Sequence, residues 1–261
     1  MAKISKNINY KTIILSITIL GLLAGGSFAS WQNYNKDKQI KILEKQINDI
    51  YAGSQQYSKD HPQFLGETSQ TPETMKEPFS INGIIIADKK HPLPKDYNPG
   101  ENPEAVKQLK KLIEAGQKSG DKYASHLVYD YSGFRSYDYQ IGVYNEYIAQ
   151  SGQQFADDFS ARPGYSEHQT GLAFDLRVTG SILYRGDDKT YDYYNDWVAQ
   201  NAHNFGFIVR YRDQWQNSTG YKGEPWHLRY LGQTLATDVF KSDKPLEDYL
   251  AISGGNYTKT F

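Results

Sequence analysis

The chain has 261 residues, 38% of them hydrophobic, no cysteine, and a formal net charge of -1 from 29 basic and 30 acidic residues. That length suits one sizeable domain plus a terminal extension, and the missing cysteines exclude disulfides, thiolate metal sites and a lipid anchor through an N-terminal cysteine. Near-neutral charge leaves no electrostatic footprint for nucleic acid, so no such partner is expected.

Lys3, Lys6 and Lys11 precede an uncharged run from Thr12 to Asn35 with its apolar heart at Ile13 to Ala24. This is the pattern of an export signal, with Ser27 and Ala29 as the small residues read before cleavage after Ala29. The run also approaches the ~20 residues needed to span a bilayer. Cleavage and retention as an anchor therefore both fit, and retention would give membrane contact through the N-terminus, the basic residues staying cytoplasmic. Ile40, Leu43, Ile47 and Ile50 then form a helical stripe over Asp37 to Tyr51, read as a stalk. Gly53 to Pro78 is rich in Ser, Gln, Thr, Glu and Pro and reads as a flexible linker. The organisation expected is residues 1–30 as signal peptide or anchor, 31–78 as stalk and linker, and 79–261 as the catalytic domain.

Within that domain Ile84 to Ile86 reads as a short buried strand. Asn102-Pro103-Glu104 starts a helix by cap and first-turn proline, with Val106, Leu109, Leu112 and Ile113 facing inward. A strand is expected at His126 to Tyr131. Ser136 should cap a helix ending near Gly152. A further strand runs over Leu172 to Val178. A helix from Tyr191 to Asn204 closes at Gly206, followed by a strand from Phe207 to Tyr211 and a helix from about Leu231 to Phe240. Strands and helices mix without a βαβ rhythm, so the fold class expected is α+β, an antiparallel sheet with flanking helices.

Two segments carry the chemistry: Ser166-Glu167-His168-Gln169-Thr170-Gly171-Leu172-Ala173-Phe174-Asp175 and Glu224-Pro225-Trp226-His227. A catalytic zinc site takes three protein ligands and leaves a position for water; His168, Asp175 and His227 fill that quota. A hydrolytic centre also needs a base beside the water, and Glu224 is the candidate. Seven extended residues would separate Asp175 from His168 by about 23 Å, so the chain must turn between them. Gly171 permits a hairpin-like corner. Residues three apart on a regular strand face opposite ways, so Glu224 and His227 need a bulge or turn at Pro225.

Taken singly, each residue has an ordinary reading: a loop histidine, a turn-bonding aspartate, a solvated glutamate, a core histidine. Together the motifs resemble the zinc D-alanyl-D-alanine carboxypeptidase family, which includes vancomycin-resistance D,D-carboxypeptidases and streptococcal L,D-carboxypeptidases. Ser132-Gly133-Phe134-Arg135-Ser136 and His91-Pro92-Leu93-Pro94 add to the likeness. It implies one zinc ion and a substrate-facing Arg135, whose guanidinium suits a C-terminal carboxylate through two parallel hydrogen bonds. Ser166 and Gln140 join as pocket-lining candidates. The implied activity is removal of the terminal D-alanine from peptidoglycan stem peptides outside the membrane, with L,D specificity favoured slightly over D,D; the sequence does not set the oligomeric state, and a monomer is the expectation. The rivals are a catalytically inactive wall-binding module and a cross-link-cutting endopeptidase. His61, His91, His126 and His203 read as structural or solvated.

Overall fold

A computed structural model describes residues 70–179 and 197–257. The expected signal segment, the stalk, most of the linker and the first part of the helix expected from Tyr191 lie outside the described residues. The described end of the linker is held against the domain. Thr71 to Met75 form a hydrogen-bonded turn, Pro72 O accepts from Lys95 N at 2.7 Å, and Met75 is buried.

In chain order, β1 (Ser80–Ile81) and β2 (Ile84–Ile85) make a small antiparallel hairpin. Its turn residues Asn82 and Gly83 both take positive φ, 52° and 82°, the combination a two-residue hairpin turn needs. Helix α1 (Pro103–Lys118) begins where Asn102 accepts a hydrogen bond from Ala105 N. Strand β3 (Leu127–Ser132) follows, then α2 (Tyr137–Phe159), β4 (Ala173–Val178), β5 (Phe207–Tyr211), the short α3 (Gln216–Thr219), β6 (Glu224–Tyr230), α4 (Gln233–Ser242) and α5 (Leu246–Leu250).

Among the described residues, four strands form one sheet in the order β3-β4-β6-β5, every neighbouring pair antiparallel. Alternation along the strands gives it two apolar faces. Phe174, Leu176, Phe207, Val209 and Leu228 meet Leu109, Leu112 and Ile113 of α1 on one side. Ile208 turns to the other, against Ile86, Ala236, Val239 and Leu246. Each such fully buried side chain contributes roughly 1.5–3 kcal/mol. The fold is α+β, with helices against an antiparallel sheet.

Several boundaries differ from expectation. Helical residues in α2 continue past Gly152, which sits at φ 83°, ψ 170° as a break inside the element. The helix resumes beyond it, with Ala156 buried. Ala124 to His126 form a 3-10 turn, so β3 starts at Leu127. Helix α4 starts at Gln233 because Leu231 N is still bonded to Gly206 O. Residues 197–201 are helical, and Ala202 to Phe205 close in a 3-10 turn before Gly206, at φ 84°.

Candidate active site

The corner between His168 and Asp175 is a helical turn rather than a hairpin. Glu167 to Thr170 form a 3-10 turn that Ser166 caps, its Oγ accepting from His168 N, and Gly171 closes it at φ 70°. A Cβ on Gly171 would lie 1.9 Å from Gly100 O, so both the left-handed angle and the close approach require glycine. Gly171 O in turn accepts from Asn102 N at 2.9 Å, tying the turn to the start of α1.

This turn aims one imidazole at the sheet. His168 Nδ1 donates to Gly133 O at 2.7 Å, leaving the Nε2 lone pair 3.2 Å from Asp175 Oδ1. Register supplies the other histidine, because Asp175 on β4 lies directly opposite His227 on β6 and Ser132 on β3. His227 Nδ1 stands 3.2 Å from the same Asp175 oxygen. The three donor atoms all fall within 4.8 Å of one another, on buried residues. Donors on a tetrahedron around zinc at ~2 Å would be about 3.3 Å apart, so the two distances through Asp175 match that donor set.

Glu224 joins them through the irregularity expected at Pro225. Pairing passes from Val209↔Leu228 to Tyr211↔Glu224, so β6 spends four steps where β5 spends two. That bulge brings Glu224 Oε2 to 3.6 Å from His227 Nδ1. The Glu224 side chain keeps 15% exposure against 5% for His227, which places it on the open side of the cluster.

Arg135 also reaches the group. Its Nη2 donates to His168 Nε2 at 2.7 Å and to Asp175 Oδ2 at 2.5 Å, so a positive charge meets the lone pairs that a metal cation would use. Gln140 is buried, not a helix-surface amide. It accepts from Arg135 Nη1 at 3.4 Å and donates to Ala161 O at 2.8 Å, which orients the guanidinium. Ser166 is buried and its hydroxyl serves as the cap.

The charges shift one another strongly. Burial, reinforced by Arg135, depresses His168 to about 4. Burial alone would lower His227 too, but hydrogen bonds to Asp175 and Glu167 outweigh it and hold the ring protonated up to about 9. Burial would raise Asp175; His168 and Arg135 overcome that and hold it well below the usual carboxylate range. Glu224, buried among carboxylates, is pushed up to about 7.

One residue of the first motif escaped the sequence reading. Glu167 Oε2 accepts from His227 Nε2 at 3.1 Å, while Oε1 takes Arg210 Nε and Arg229 Nη1, each at 2.9 Å. The available signal was two arginines inside the apolar strands β5 and β6, since buried arginines require buried carboxylates.

The remaining described histidines stay outside the cluster. His91, in its proline-rich loop, is fully buried against Asp88 at 2.8 Å; His203 stacks on Phe240 and His126 is exposed.

Comparison with known proteins agrees with this geometry. The model of the family VanY, D-alanyl-D-alanine carboxypeptidase, matches residues 100–233, which include Arg135, His168, Asp175, Glu224 and His227. The chain belongs to the VanY family. Among solved structures, this VanY-family chain is similar to the LD-carboxypeptidase LdcB, at 45% identity and TM-score 0.63, covering 70% of this chain and 96% of that one. It is similar to the L,D-carboxypeptidase DacB of Streptococcus pneumonia, at 44% identity and TM-score 0.61, covering 69% and 94%. A vancomycin-resistance D,D-pentapeptidase, VanY, solved with Zn(II), matches at 29% identity and TM-score 0.52, covering 64% and 97%. The chain is thus a carboxypeptidase, with a donor set that fits a metallopeptidase.

Proposed function

We propose that this carboxypeptidase is zinc-dependent and removes the C-terminal D-alanine from peptidoglycan stem peptides, with tetrapeptides (an L,D bond) preferred over pentapeptides (a D,D bond). The observation that carries the reading is the shared corner of His168 Nε2, Asp175 Oδ1 and His227 Nδ1, with Glu224 on its open side. His168, Asp175 and His227 would hold one ion. When bound, it would polarise the scissile carbonyl and make water a nucleophile near neutral pH. Glu224 takes the proton from the water as its oxygen adds to the scissile carbonyl carbon, then gives that proton to the amide nitrogen, whose C–N bond breaks to release D-alanine as the carbonyl re-forms. Burial raises Glu224 towards the proton-bound form in the metal-free protein, and a nearby cation would draw it back towards the carboxylate that accepts the water's proton. Once an ion takes the His168 and Asp175 lone pairs that Arg135 Nη2 now occupies, the released guanidinium grips the terminal carboxylate, with Gln140 steadying it. Ser166 acts on the substrate indirectly, by shaping the turn that carries His168.

The L,D preference is supported by the two L,D-carboxypeptidases at 45% and 44% identity, against 29% for the D,D-enzyme. Arg135 favours a free carboxylate over the endopeptidase alternative, and Glu224 argues against an inactive binding module. The N-terminal segment would carry the enzyme to the outer side of the membrane, free or anchored.

Purified full-length protein incubated with tetrapeptide, pentapeptide and cross-linked fragments, with and without a chelator, tests the whole reading. The expected result is D-alanine release chiefly from tetrapeptide and none after chelation. Preferential release from pentapeptide would overturn the L,D assignment, cleavage of cross-links the exopeptidase reading, and chelator-insensitive turnover the zinc reading.

A further inference from the structure

The buried charge network behind the candidate metal ligands does more than fill space. Glu167 is sequence-adjacent to one ligand, His168, yet its carboxylate touches the other, His227. Both guanidiniums fall on Oε1, from Arg210 Nε and Arg229 Nη1, each at 2.9 Å. Neither is free to leave. Arg210 spends its two terminal nitrogens on Glu247 of α5, at 2.8 and 2.5 Å, and Arg229 Nη2 donates to Ile85 O at 2.6 Å. With Oε1 saturated, Oε2 is left to His227 Nε2 at 3.1 Å.

We infer that Glu167 is a positioning residue for the metal centre: its carboxylate fixes the His227 ring and its tautomer, so that Nε2 keeps the proton and Nδ1 is presented to the ion. An inference of this kind rests on the zinc reading above. An anionic acceptor at Nε2 demands a donor there, which forces the lone pair of the neutral ring onto Nδ1. Nδ1 is the atom that stands 3.2 Å from Asp175 Oδ1. The Gly133 carbonyl does the same for His168 from the other nitrogen. The partners that select opposite tautomers of the two neutral imidazoles are thus in place before any ion arrives, and binding of the ion takes the remaining proton from His227 Nδ1. The Glu167, Glu247, Arg210 and Arg229 side chains carry two charges of each sign, so their burial is compensated within the cluster.

The test is Glu167→Gln, which keeps size and removes charge. If the amide nitrogen faces His227, Nε2 must accept and the proton moves to Nδ1; if the carbonyl faces His227, the two guanidiniums face an amide nitrogen. Competition with a chromophoric zinc chelator is expected to show ten- to hundredfold weaker zinc binding. Glu247→Gln, which touches Arg210 but not His227, should shift it less than about threefold, as a second-order contact. A folded Glu167→Gln protein binding zinc within about twofold of wild type, below that outer-shell range, would overturn the assignment. The decisive second readout needs no variant: the nitrogen NMR shifts of His227 in zinc-loaded wild-type protein should show the proton on Nε2. A proton on Nδ1 refutes the inference even if Glu167→Gln does not fold. Failure of the wild type to bind zinc would sink the metal reading itself and is distinguishable from both.

Discussion

At the scale of single residues, the site is a competition for lone pairs. Burial would strip a proton from His227, but its hydrogen bonds to Asp175 and Glu167, helped by the nearby Glu224 carboxylate, keep the ring protonated in the metal-free protein up to about 9, above the ordinary 6.5, with one of those protons on Nδ1. Zinc needs that nitrogen bare, so its apparent affinity should climb with pH, about tenfold per unit, until about 9. The same raised value means that this group's share of metal-free stability is complete below about 6.5 and is lost as pH rises through about 9. Calorimetry of zinc binding at pH 7 in buffers of different ionisation enthalpy should read about one proton released; none released contradicts the assignment. Replacing Glu224 with Ala should leave zinc bound and lower kcat by ~10²–10⁴-fold, and near-normal turnover would remove it from the mechanism. Arg135→Lys keeps charge but loses the paired donors, so kcat/KM should fall roughly tenfold or more, as expected when charge-assisted hydrogen bonds of ~1.5–3 kcal/mol are impaired. The sequence made these residues visible because they lie in three short motifs. Glu167 could not be seen in the same way: its arginines are 43 and 62 positions away, and only folding brings them together.

At the scale of elements, the site depends on a turn and a bulge. Asn102 caps α1 and donates its backbone N–H to Gly171 O, while Leu172 O accepts from Tyr230 N at 2.8 Å. The ligand turn is therefore pinned to a helix start on one side and to β6 on the other. Gly171→Ala meets a left-handed angle and the Gly100 carbonyl. It should cost more than about 2 kcal/mol in urea unfolding, beyond the ~1–2 kcal/mol of the angle alone; an unchanged midpoint would mean that the turn relaxes freely. The start of α1 and the need for a bulge at Pro225 were readable because proline, an Asn cap and strand alternation each impose a local rule. The four-residue α3 and five-residue α5 were not, being too short for a periodic pattern, and Gly152 marked a break inside α2 rather than its end. The corner at Gly171 was legible as a turn but not as a 3-10 turn, because Ser166 capping it depends on backbone angles that spacing does not reveal.

At the scale of the whole molecule, three ligands come from a turn, β4 and β6, so an ion that joins them ties together parts of the chain up to 59 positions apart, from His168 to His227. Binding confined to the folded state adds about 2.7 kcal/mol at a zinc concentration a hundred times the dissociation constant. For a domain of this size that corresponds to a rise in Tm of about 5–10 °C, and a chelator should remove it. The antiparallel architecture was legible from the absence of a βαβ rhythm. The packing of residues 71–75 onto the domain was not, because that segment is polar and its one apolar anchor, Met75, carries no pattern.

The central claim is that two imidazoles of fixed tautomer and one aspartate hold a single zinc ion. Anomalous scattering at the zinc edge from crystals of the zinc-loaded protein tests it most directly. One peak is predicted, about 2.0–2.2 Å from His168 Nε2, an Asp175 carboxylate oxygen and His227 Nδ1. A peak elsewhere, or one coordinated through His227 Nε2, would contradict the account.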